Sequence, residues 1–565
     1  MSIYHVVIKT DTDMLSLLRG LKGEFNFQGI SFESDIDIYH LISENPVEGI
    51  LLVREKRRET RPMMIKELNP QLDFSALSFD RPVRFTNCSF SVEVRFSDLV
   101  FKLGLDICYC RFSHEVNIRS VSALGLSRLV FNSSSNVVIM DSQFELEIRS
   151  LSAMEIEKML HIENTVFLSG INMSRAVVGG QLNFVGNRIK GALDLSLSKL
   201  SSLNIVSRDS KQEKSTIEDL NCSEMECSGS VEMNRVSISG SIRGRGAVFS
   251  DSSFFIDVDI SEKVYLTQCI FEKEIIFHNV KVGKLLSFNS SVFHSRLNLS
   301  SCDIYSAEVY FAQAKIHSDI WLGSHPGQAP LAFTGMISFQ GAFISSESLI
   351  RVYGLNAKGN AAGQLVFSNA LIKGYLDIRD VFVTAISLYA TIVLGNIQDN
   401  NTLWASIHDR PTARLLKHES KKVNNIISAV AYNKLEMRLH SKEIGLGNVA
   451  DLAILALNRL SNNYGTNWLL GVFFTFFGGL LFYTLFESFR IGFAFFEESG
   501  TGFILFDGRF WAGFIEYFWL PAGFKQLIED GRLAGGAWGA TWFIIGKVII
   551  AYGIYQTVAA FRKYI

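Results

Sequence analysis

The sequence predicts an all-β parallel β-helix, a solenoid of about 22 residues per coil, followed by an α-helical linker and a two-helix transmembrane domain. Three observations support this fold class: an 11-residue apolar repeat, a charged helical pattern after it, and two long apolar stretches near the C-terminus. The expected boundaries are 1–71 for an N-terminal cap region, 72–398 for the β-helix, 399–459 for an amphipathic helical linker and 460–565 for the membrane module.

The repeat consists of apolar pairs two positions apart that recur every 11 residues. One run is Val83/Phe85, Val94/Phe96, Leu105/Ile107 and Val116/Ile118, and a later run is Val264/Leu266, Ile275/Phe277, Leu286/Phe288 and Leu297/Leu299. A second register with the same step is Phe79, Phe90, Phe101 and Phe112. Residues two apart on a strand point to the same side, so each unit supplies one short strand with two inward side chains.

Stacking such units lets every pair be buried against the next, which is the arrangement of a β-solenoid. Two units form one coil with two inward-facing walls, and small or polar residues such as Asn87 and Ser290 supply the corners. Residues 72–398 then hold about fifteen coils. A helical 11-residue repeat is rejected because the units are rich in Ser, Asn, Val, Ile and Phe and are interrupted by Gly.

The cysteines and the N-terminus indicate a reducing compartment. The seven cysteines are scattered, and Cys88 and Cys110 lie one coil apart, as stacked core residues would. Residues 1–9 lack the basic and long apolar regions of a secretory signal. The rod is therefore expected in the cytoplasm. The net charge of −2 gives no basic field for nucleic acid, so no nucleic-acid partner is predicted.

After about residue 400 the pattern becomes helical and then strongly apolar. Leu416, Val423, Val430 and Met437 step by seven, which predicts one amphipathic helix over 412–443. Two apolar stretches predict membrane spans at about 466–486 and 538–561. The basic linker and the final Arg562 and Lys563 favour a cytoplasmic rod and C-terminus. Between the spans, 510–528 is predicted to be either a re-entrant or an interfacial segment.

The second span contains the candidate site residues. Gly539, Gly546, Gly553 and Ala560 repeat every seven residues and form a smooth stripe along which membrane helices can approach closely. Lys547 lies near the middle of the span, where an unpaired ammonium is costly, so a partner or a water-filled path is expected unless it snorkels to the interface. Glu516 and Glu487 are the candidate partners chosen from the sequence and are the membrane or pore candidates beside Lys547.

Three segments carry a resemblance to a known family. They are Leu415–Glu419 with Tyr432–Met437, Leu457–Gly465, and Gly546–Val548 with Tyr555–Tyr564. Together they resemble the tail of bacterial membrane-linked pentapeptide-repeat-type proteins, in which a β-helix precedes a pair of spans. The resemblance covers roughly the last 150 residues and the general character of the rod. It implies a scaffold in the bacterial inner membrane, with no catalytic residues to transfer.

Motifs of nucleotide-binding, zinc-hydrolase and serine-hydrolase sites are absent from the sequence, and no cofactor or metal is predicted. Asp257 and Asp259 are the closest approach to a catalytic carboxylate pair. The first hypothesis is a non-enzymatic, membrane-anchored scaffold, in contact with lipid, whose rod binds a protein partner. The alternative is an oligomeric ion channel or membrane-permeabilising effector, of the kind used in stress or phage defence, gated by the rod. A homo-oligomer is expected, and an unrecognised enzyme is the third hypothesis.

Overall fold

The computed structural model describes residues 6–561 except 9, 21–24, 29, 33–35, 38–40, 42–43, 48–49, 53–70, 147–150, 209–213, 301, 305–306, 326, 358–359, 400–406, 445–447, 492–507 and 530–531. The chain forms two compact units, Met1–Leu403 and Trp404–Ile565. The division agrees with the predicted end of the β-helix near residue 398. Each unit is described separately below.

The first unit is a parallel β-solenoid with coils of about 22 residues and about 14 turns, which confirms the predicted fold class. Its strands pair in parallel with those of the next coil, so that Val94 lies beside Val116 and Phe255 beside Phe277. Side chains alternate between buried and outward along each strand, as in Glu93–Ser97, where Val94 and Phe96 are buried. The apolar pairs of the repeat are therefore the inward-facing residues.

Each coil has four faces, whereas the sequence predicted two walls. An 11-residue unit forms a longer strand that carries the apolar pair and then a shorter strand that carries a third buried residue, such as Phe90 or Phe101. Phe79, Phe90 and Phe101 thus belong to separate short strands, and Phe112 ends a strand that continues around the corner. On one straight strand such a residue would point away from the side of its apolar pair, and the corner turns it inward instead.

The strands fall into four stacks, named faces 1 to 4 in chain order within a coil. Face 1 contains Ile36–Asp37, Gln71–Ser75, Glu93–Ser97, Val116–Arg119, Val137–Met140, Leu160–Glu163, Val231–Asn234, Ser253–Ile256, Ile275–His278, Leu297–Asn298, Ile320–Gly323, Leu349–Tyr353, Tyr375–Asp377 and Asn396–Gln398. Face 2 contains Ile50–Leu52, Leu77–Phe79, Val100–Phe101, Gln143–Leu146, Val166–Phe167, Val236–Ile238, Asp259–Ile260 and Lys281–Val282. Face 3 contains Phe25–Gln28, Val83–Thr86, Ile171–Asn172, Ile242–Arg243, Lys263–Tyr265, Leu285–Ser287, Glu308–Tyr310, Met336–Ser338, Gln364–Val366 and Ala385–Ser387. Face 4 contains Val6–Ile8, Ile30–Phe32, Ser89–Phe90, Glu155–Ile156, Glu226–Cys227, Val248–Phe249, Ile270–Phe271, Val292–Phe293, Lys315–Ile316, Phe343–Ile344, Leu371–Ile372 and Ile392–Val393.

Other strands continue around a corner from one face to the next. They are Leu105–Phe112, Ser122–Ser133, Val177–Val185, Arg188–Asp194, Lys199–Val206 and Ser215–Asn221. At many remaining corners one residue has a left-handed backbone, including the predicted corners Asn87 (φ 55°) and Ser290 (φ 59°). The amide of each donates to a carbonyl of the next coil, at 3.0 Å for Asn87 and 2.8 Å for Ser290. The corners therefore continue the hydrogen bonding between coils.

The interior is filled by stacked rings and small residues. Phe288, Phe311, Phe339 and Phe367 form one ladder, with successive ring centroids 5.3, 4.7 and 4.9 Å apart. All seven cysteines lie among the described residues and are buried, as predicted for core residues. Burial raises the pKa of the Cys302 thiol to about 12. This thiol donates to the carbonyl of Phe277 in the preceding coil, so it remains protonated and is used structurally.

The N-terminal region extends the solenoid and closes its end. Phe25–Gln28 pairs in parallel with Val83–Thr86, and Ile50–Leu52 pairs antiparallel with Leu77–Phe79. Helix α1 (Asp11–Gly20) buries Met14 and Leu18. Leu18 lines the same small space as rings of the first coils. The cap thus covers apolar side chains that the first coil would otherwise expose.

The second unit begins with a helical hairpin in place of the single predicted helix over 412–443. Helices α2 (Arg410–Lys422) and α3 (Ile426–Glu443) are separated by a turn. Asn424 has a left-handed backbone (φ 58°), and Asn425 caps α3 by accepting the Ser428 amide. Two asparagines in succession favour this break. Val423 and Ile427, which the heptad pattern placed with the apolar side, are exposed.

An ion-pair cluster joins the two helices of the hairpin. The Glu436 carboxylate on α3 is buried and accepts from Arg414 at 2.9 Å and from Lys417, both on α2. Burial by itself would raise the pKa of Glu436, but the hydrogen bonds from Lys417 and Arg414 outweigh it and lower the pKa below its usual value. The predicted basic residues of the linker therefore serve partly to pair this carboxylate.

The remaining helices are α4 (Val449–Asn462), α5 (Trp468–Ile491), α6 (Gly508–Phe518) and α7 (Gly536–Phe561), with a 3₁₀ turn at Ala522–Leu527 and a short antiparallel pair, Ile528–Glu529 with Arg532–Leu533. Among the described residues, α5 (over Trp468–Arg490) and α7 are long and apolar enough to cross a membrane. Their positions agree with the spans predicted at about 466–486 and 538–561.

The register of the solenoid generates a first test. Phe288 is fully buried on Phe311, so Phe288→Asp puts an unpaired charge in the stack and should cost at least about 4 kcal/mol of unfolding free energy. Ser290 lies at a left-handed corner that Asp tolerates, so Ser290→Asp should cost less than about 1 kcal/mol. Denaturant unfolding of the full chain in detergent measures both. Equal losses would show that the assigned register is wrong.

Candidate functional site

The small-residue stripe of α7 faces α5 of the same chain. Its four members, Gly539, Gly546, Gly553 and Ala560, are all buried. A Cβ added to Gly553 would lie 2.2 Å from Thr475 Oγ1, and one added to Gly546 would lie 2.6 Å from the Cβ of Phe482. Thr475 and Phe482 are seven residues apart on α5, and Gly546 and Gly553 are likewise seven residues apart on α7. The stripe thus allows close antiparallel packing of the two apolar helices, as its spacing predicted.

This contact limits what the stripe can do in an assembly. The sequence predicted that membrane helices approach closely along the stripe. In the structure the surface of Gly546 and Gly553 is already occupied by α5. Packing between subunits would have to use the other sides of the helices, which carry exposed residues such as Phe477 and Val548.

Lys547, beside the stripe, is held by groups of the same chain. Its side chain is 5% exposed, and its ammonium donates to the backbone carbonyl oxygens of Tyr517 and, at 3.3 Å, of Trp519. The ammonium also lies 4.8 Å from the ring centroid of Tyr517 and 5.3 Å from that of Phe543. A partner for this cation was expected, but the acceptors are carbonyls at the end of α6 rather than carboxylates.

The two candidate carboxylates have other positions. Glu487 is buried near the end of α5 and pairs with Arg490 at 2.8 Å. Glu516 is exposed on α6, and its carboxylate accepts from Gln526 at 3.3 Å. The sequence suggested these residues as candidate partners, although Glu529 and Asp530 are nearer to Lys547 along the chain. In the fold, the carboxyl end of α6 lies next to Lys547 instead. The number of residues between two positions does not reveal how the chain folds back to make this contact.

Helix α6 packs along the two apolar helices. Phe510, Phe514 and Tyr517 recur on one side of α6 and are buried in a cluster with Tyr483 and Ile550. The ring of Phe514 also contacts the ring of Phe476, and the two centroids are 5.6 Å apart. Phe476 and Ile550 lie well inside α5 and α7 rather than at their ends. Of the two alternatives for 510–528, these contacts favour a re-entrant segment over an interfacial one.

A polar network fixes α4 against α7. Asn462 at the end of α4 donates to the backbone and side-chain oxygens of Gln556, at 3.1 and 2.6 Å. The Asn458 side-chain oxygen accepts from Gln556 at 3.0 Å and from Tyr552 at 2.8 Å. Asn463 then ends α4 with a left-handed backbone. The segment Leu457–Gly465, singled out in the sequence, thus has a structural role in locking the helix that precedes α5.

On the rod, an arginine–aromatic patch covers four consecutive coils of face 1. Its members are Arg296, Trp321, Arg351, Tyr353, Tyr375 and Arg379. Trp321 is paired with Arg351 in the next coil, and Arg351 is paired with Asp377 in the coil after that. The guanidinium carbons of Arg296 and Arg351 lie 4.5 and 5.3 Å from the ring centroid of Trp321. The indole is therefore held between two cations.

Ion pairs fix the arginines of the patch. Asp377 is buried beneath them and accepts two hydrogen bonds from Arg379, each 2.7 Å long, while Arg351 lies 3.6 Å away. Three N–H donors in the described patch, Arg296 Nε, Trp321 Nε1 and Arg351 Nε, are buried and have no hydrogen-bond acceptor. Tyr375 is 53% exposed. The patch thus combines aromatic surface with arginines that neighbouring carboxylates hold in place.

The sequence pattern does not reveal this patch. The 11-residue step fails between residues 323 and 364, because face 1 residues Ile320 and Ile350 pair although they are 30 positions apart. Trp321, Arg351 and Asp377 therefore share no visible period. Residues 296–379 contain one Trp and three Arg, which is no enrichment over the chain, so the patch is recognisable only when the strand register is known.

The carboxylates Asp257 and Asp259, singled out in the sequence, each have a partner. Asp259 is paired with Lys214 at 2.5 Å, and Asp257, at a left-handed corner, accepts from Asn279 at 2.6 Å. This neighbouring pair is thus used in structural contacts. In the described part of the chain, no group of three His, Cys, Asp or Glu side chains could hold a metal ion. Comparisons with protein-family models, curated proteins and solved structures find no match.

The glycine stripe generates a second test. Gly546→Leu should push Phe482 and Tyr517 away, because even a Cβ at this position would lie 1.9 Å from the Tyr517 hydroxyl. Overpacking of this kind should lower the stability of the C-terminal unit by about 1–3 kcal/mol or more. Ala551→Leu, on an exposed side of the same helix, is the matched control. Thermal unfolding in detergent measures both, and an equal effect of the two variants would contradict the packing described.

Proposed function

We propose that this chain is a non-enzymatic scaffold, anchored to a membrane by α5 and α7, whose rod binds a protein partner through the arginine–aromatic patch. The single observation that supports this proposal is the stack of Arg296, Trp321 and Arg351 on face 1. A regular solenoid surface needs no such arrangement for its own folding. The patch is therefore best explained by something that binds there.

The composition of the patch favours a protein partner. Trp, Tyr and Arg are the residue types that dominate the binding energy of protein interfaces, because they combine large contact area with fixed hydrogen-bond geometry. Four adjacent coils present them over roughly 15 Å along the rod. The buried Asp377 holds Arg379 in place before binding, which reduces the entropy lost on association. The arginine donors are suited to carboxylate or carbonyl oxygens of a partner.

A nucleic-acid partner is less compatible with these residues. Binding to a phosphate backbone needs several unpaired cations in a continuous groove. Here Arg379 is committed to Asp377, and Arg296 lies 3.5 Å from Glu274. The net charge of the chain, −2, adds no attraction over distance. The proposal therefore excludes nucleic acid as the main partner.

The helical module supports the role of an anchor. Lys547 has carbonyl and aromatic partners within the chain, so its presence in an apolar helix does not require a water-filled path. The close pair α5 and α7 buries its glycine stripe internally. We infer a location in the bacterial inner membrane, with the rod and C-terminus in the cytoplasm, from the basic linker before the first apolar helix.

The alternative function is an oligomeric channel or permeabilising effector gated by the rod, acting in stress or phage defence. It is favoured by the contacts of α6 in the middle of α5 and α7, because a re-entrant helix between two spans is a common element of pores. It is disfavoured by the internal partners of Lys547. Liposomes with wild-type protein and its rod partner distinguish the two functions: a steady ion flux requires the channel, and background permeability supports the anchor.

The partner can be tested through the patch. A photo-crosslinking amino acid at Tyr353 should capture a protein in the native host, whereas the same probe at Val366 on face 3 should not. With the captured protein purified, Trp321→Ala/Tyr375→Ala should weaken its affinity roughly 30-fold or more, since loss of a single binding hot spot costs about 2 kcal/mol. Calorimetry or biolayer interferometry gives the dissociation constant.

The matched control for this measurement is Tyr310→Ala/Gln364→Ala, which removes one aromatic and one polar side chain from face 3 of the same region. It should leave the affinity unchanged, and both double variants should unfold at the wild-type temperature because Asp377 stays paired. Equal affinities for the two double variants would refute the patch as the binding site. Capture of a second copy of the chain would indicate self-association instead of a scaffold.

The membrane topology has a separate test. A cysteine at Ser499, which lies outside the described residues, should react with an impermeant reagent in intact cells. Ser420 would be a poor cytoplasmic probe because it is buried in α2, so the exposed Lys421 is the better position. A cysteine at Lys421 should be labelled only after lysis, and the buried native cysteines give low background. Labelling at Lys421 in intact cells would place the rod outside the cytoplasm.

A further inference from the structure

The carboxyl end of α6 forms a cage around the Lys547 ammonium. Two backbone carbonyls, of Tyr517 and Trp519, accept its protons. Three aromatic rings surround it, with centroids at 4.8 Å for Tyr517, 5.3 Å for Phe543 and 5.6 Å for Phe524. These groups come from three parts of the chain, namely α6, the 3₁₀ turn and α7. The side chain that fills the cage comes from α7 itself.

These groups are ligands for a small monovalent cation of the ammonium type. The last carbonyls of a helix lack partners within it and carry the negative end of its dipole, so they favour a positive charge. The face of an aromatic ring attracts ammonium groups and does so most strongly where water is excluded. Neither group carries a formal charge. Such a cage therefore suits a primary ammonium better than a divalent metal, which proteins usually bind through one or more carboxylates.

We propose that the carboxyl end of α6, with the rings of Tyr517, Phe524 and Phe543, is a binding site for a primary ammonium group, and that Lys547 is its built-in occupant. The site takes a free alkylammonium when the lysine side chain is shortened. Its occupation holds α6 in place, because the ammonium links the end of α6 to α7. This inference concerns the helical module and is independent of the proposed partner site on the rod.

Three features separate this site from ordinary packing of a lysine. The ammonium donates to two backbone carbonyls at the end of α6, so a neutral side chain of equal size would remove both hydrogen bonds. The Tyr517 ring is itself positioned, since its hydroxyl donates to the carbonyl of Phe543 at 3.3 Å and sits over Gly546. Finally, the outer wall is the half-exposed ring of Phe524, past which a small ligand can enter.

Chemical rescue of the full-length protein in detergent tests the site. Lys547→Ala removes the propylammonium portion of the side chain and should lower the unfolding temperature of the C-terminal unit. Propylammonium should restore most of the lost temperature in a saturable way, whereas propanol, of the same shape but uncharged, should not. Tetramethylammonium, which cannot donate hydrogen bonds, should also fail. Val548→Ala, at the exposed neighbouring position, controls for general effects of the amine.

Lys547→Met fills the cage with an uncharged chain and should be destabilised without responding to propylammonium. If Lys547→Ala cannot be purified alone, it is prepared with propylammonium or with propanol present, and recovery only with the amine supports the site. A Lys547→Ala protein as stable as wild type would overturn the proposal. So would a destabilised variant that propylammonium and propanol affect equally, or one that neither compound allows to be recovered.

Discussion

The parallel pairing of each coil with the next is the constraint on which the rod depends. A coil of four short strands has almost no internal pairing, since its amides and carbonyls bond to the coils before and after it. The apolar pairs are likewise buried only when the neighbouring coils are present. Side chains at one position must therefore fit the equivalent position one coil away, as the ladder from Phe288 to Phe367 does. The periodic sequence follows directly from that requirement.

Much of this fold could be predicted because the same requirement acts on the sequence. The pair Val94 and Phe96 belongs to a lattice that fixes the coil length and the inward side of each strand. The number of faces could not be obtained from the pairs alone. An 11-residue unit that turns one corner and an 11-residue unit that turns two corners both repeat every 11 residues. The second register, Phe90 and Phe112, contained that information, but only left-handed corners such as Asn87 show where the chain turns.

The C-terminal unit was predictable in its spans and less so in its contacts. Length and composition define α5 and α7 because the cost of burying charge in an apolar medium is large. The same cost indicated that Lys547 has a partner. The identity of the partner depends on how residues 508–535 fold back, and backbone carbonyls, which every residue has, leave no mark in the sequence. The break between α2 and α3 has a local cause. The preference of Asn425 for a helix-capping position outweighed the apolar seven-residue spacing, which had predicted one continuous helix.

The arginine–aromatic patch lies where the coils of the rod are longer than usual. Between Ile320 and Ile350 the coil holds 30 residues, and between Ile350 and Leu376 it holds 26, instead of about 22. Face 1 keeps its register through both enlarged coils, so the extra residues are accommodated on other faces. A third enlarged coil, of 28 residues between Leu203 and Val231, lies away from the patch. The stack therefore tolerates longer coils wherever they occur, because only the paired strands have to keep their register while the added residues extend a connection.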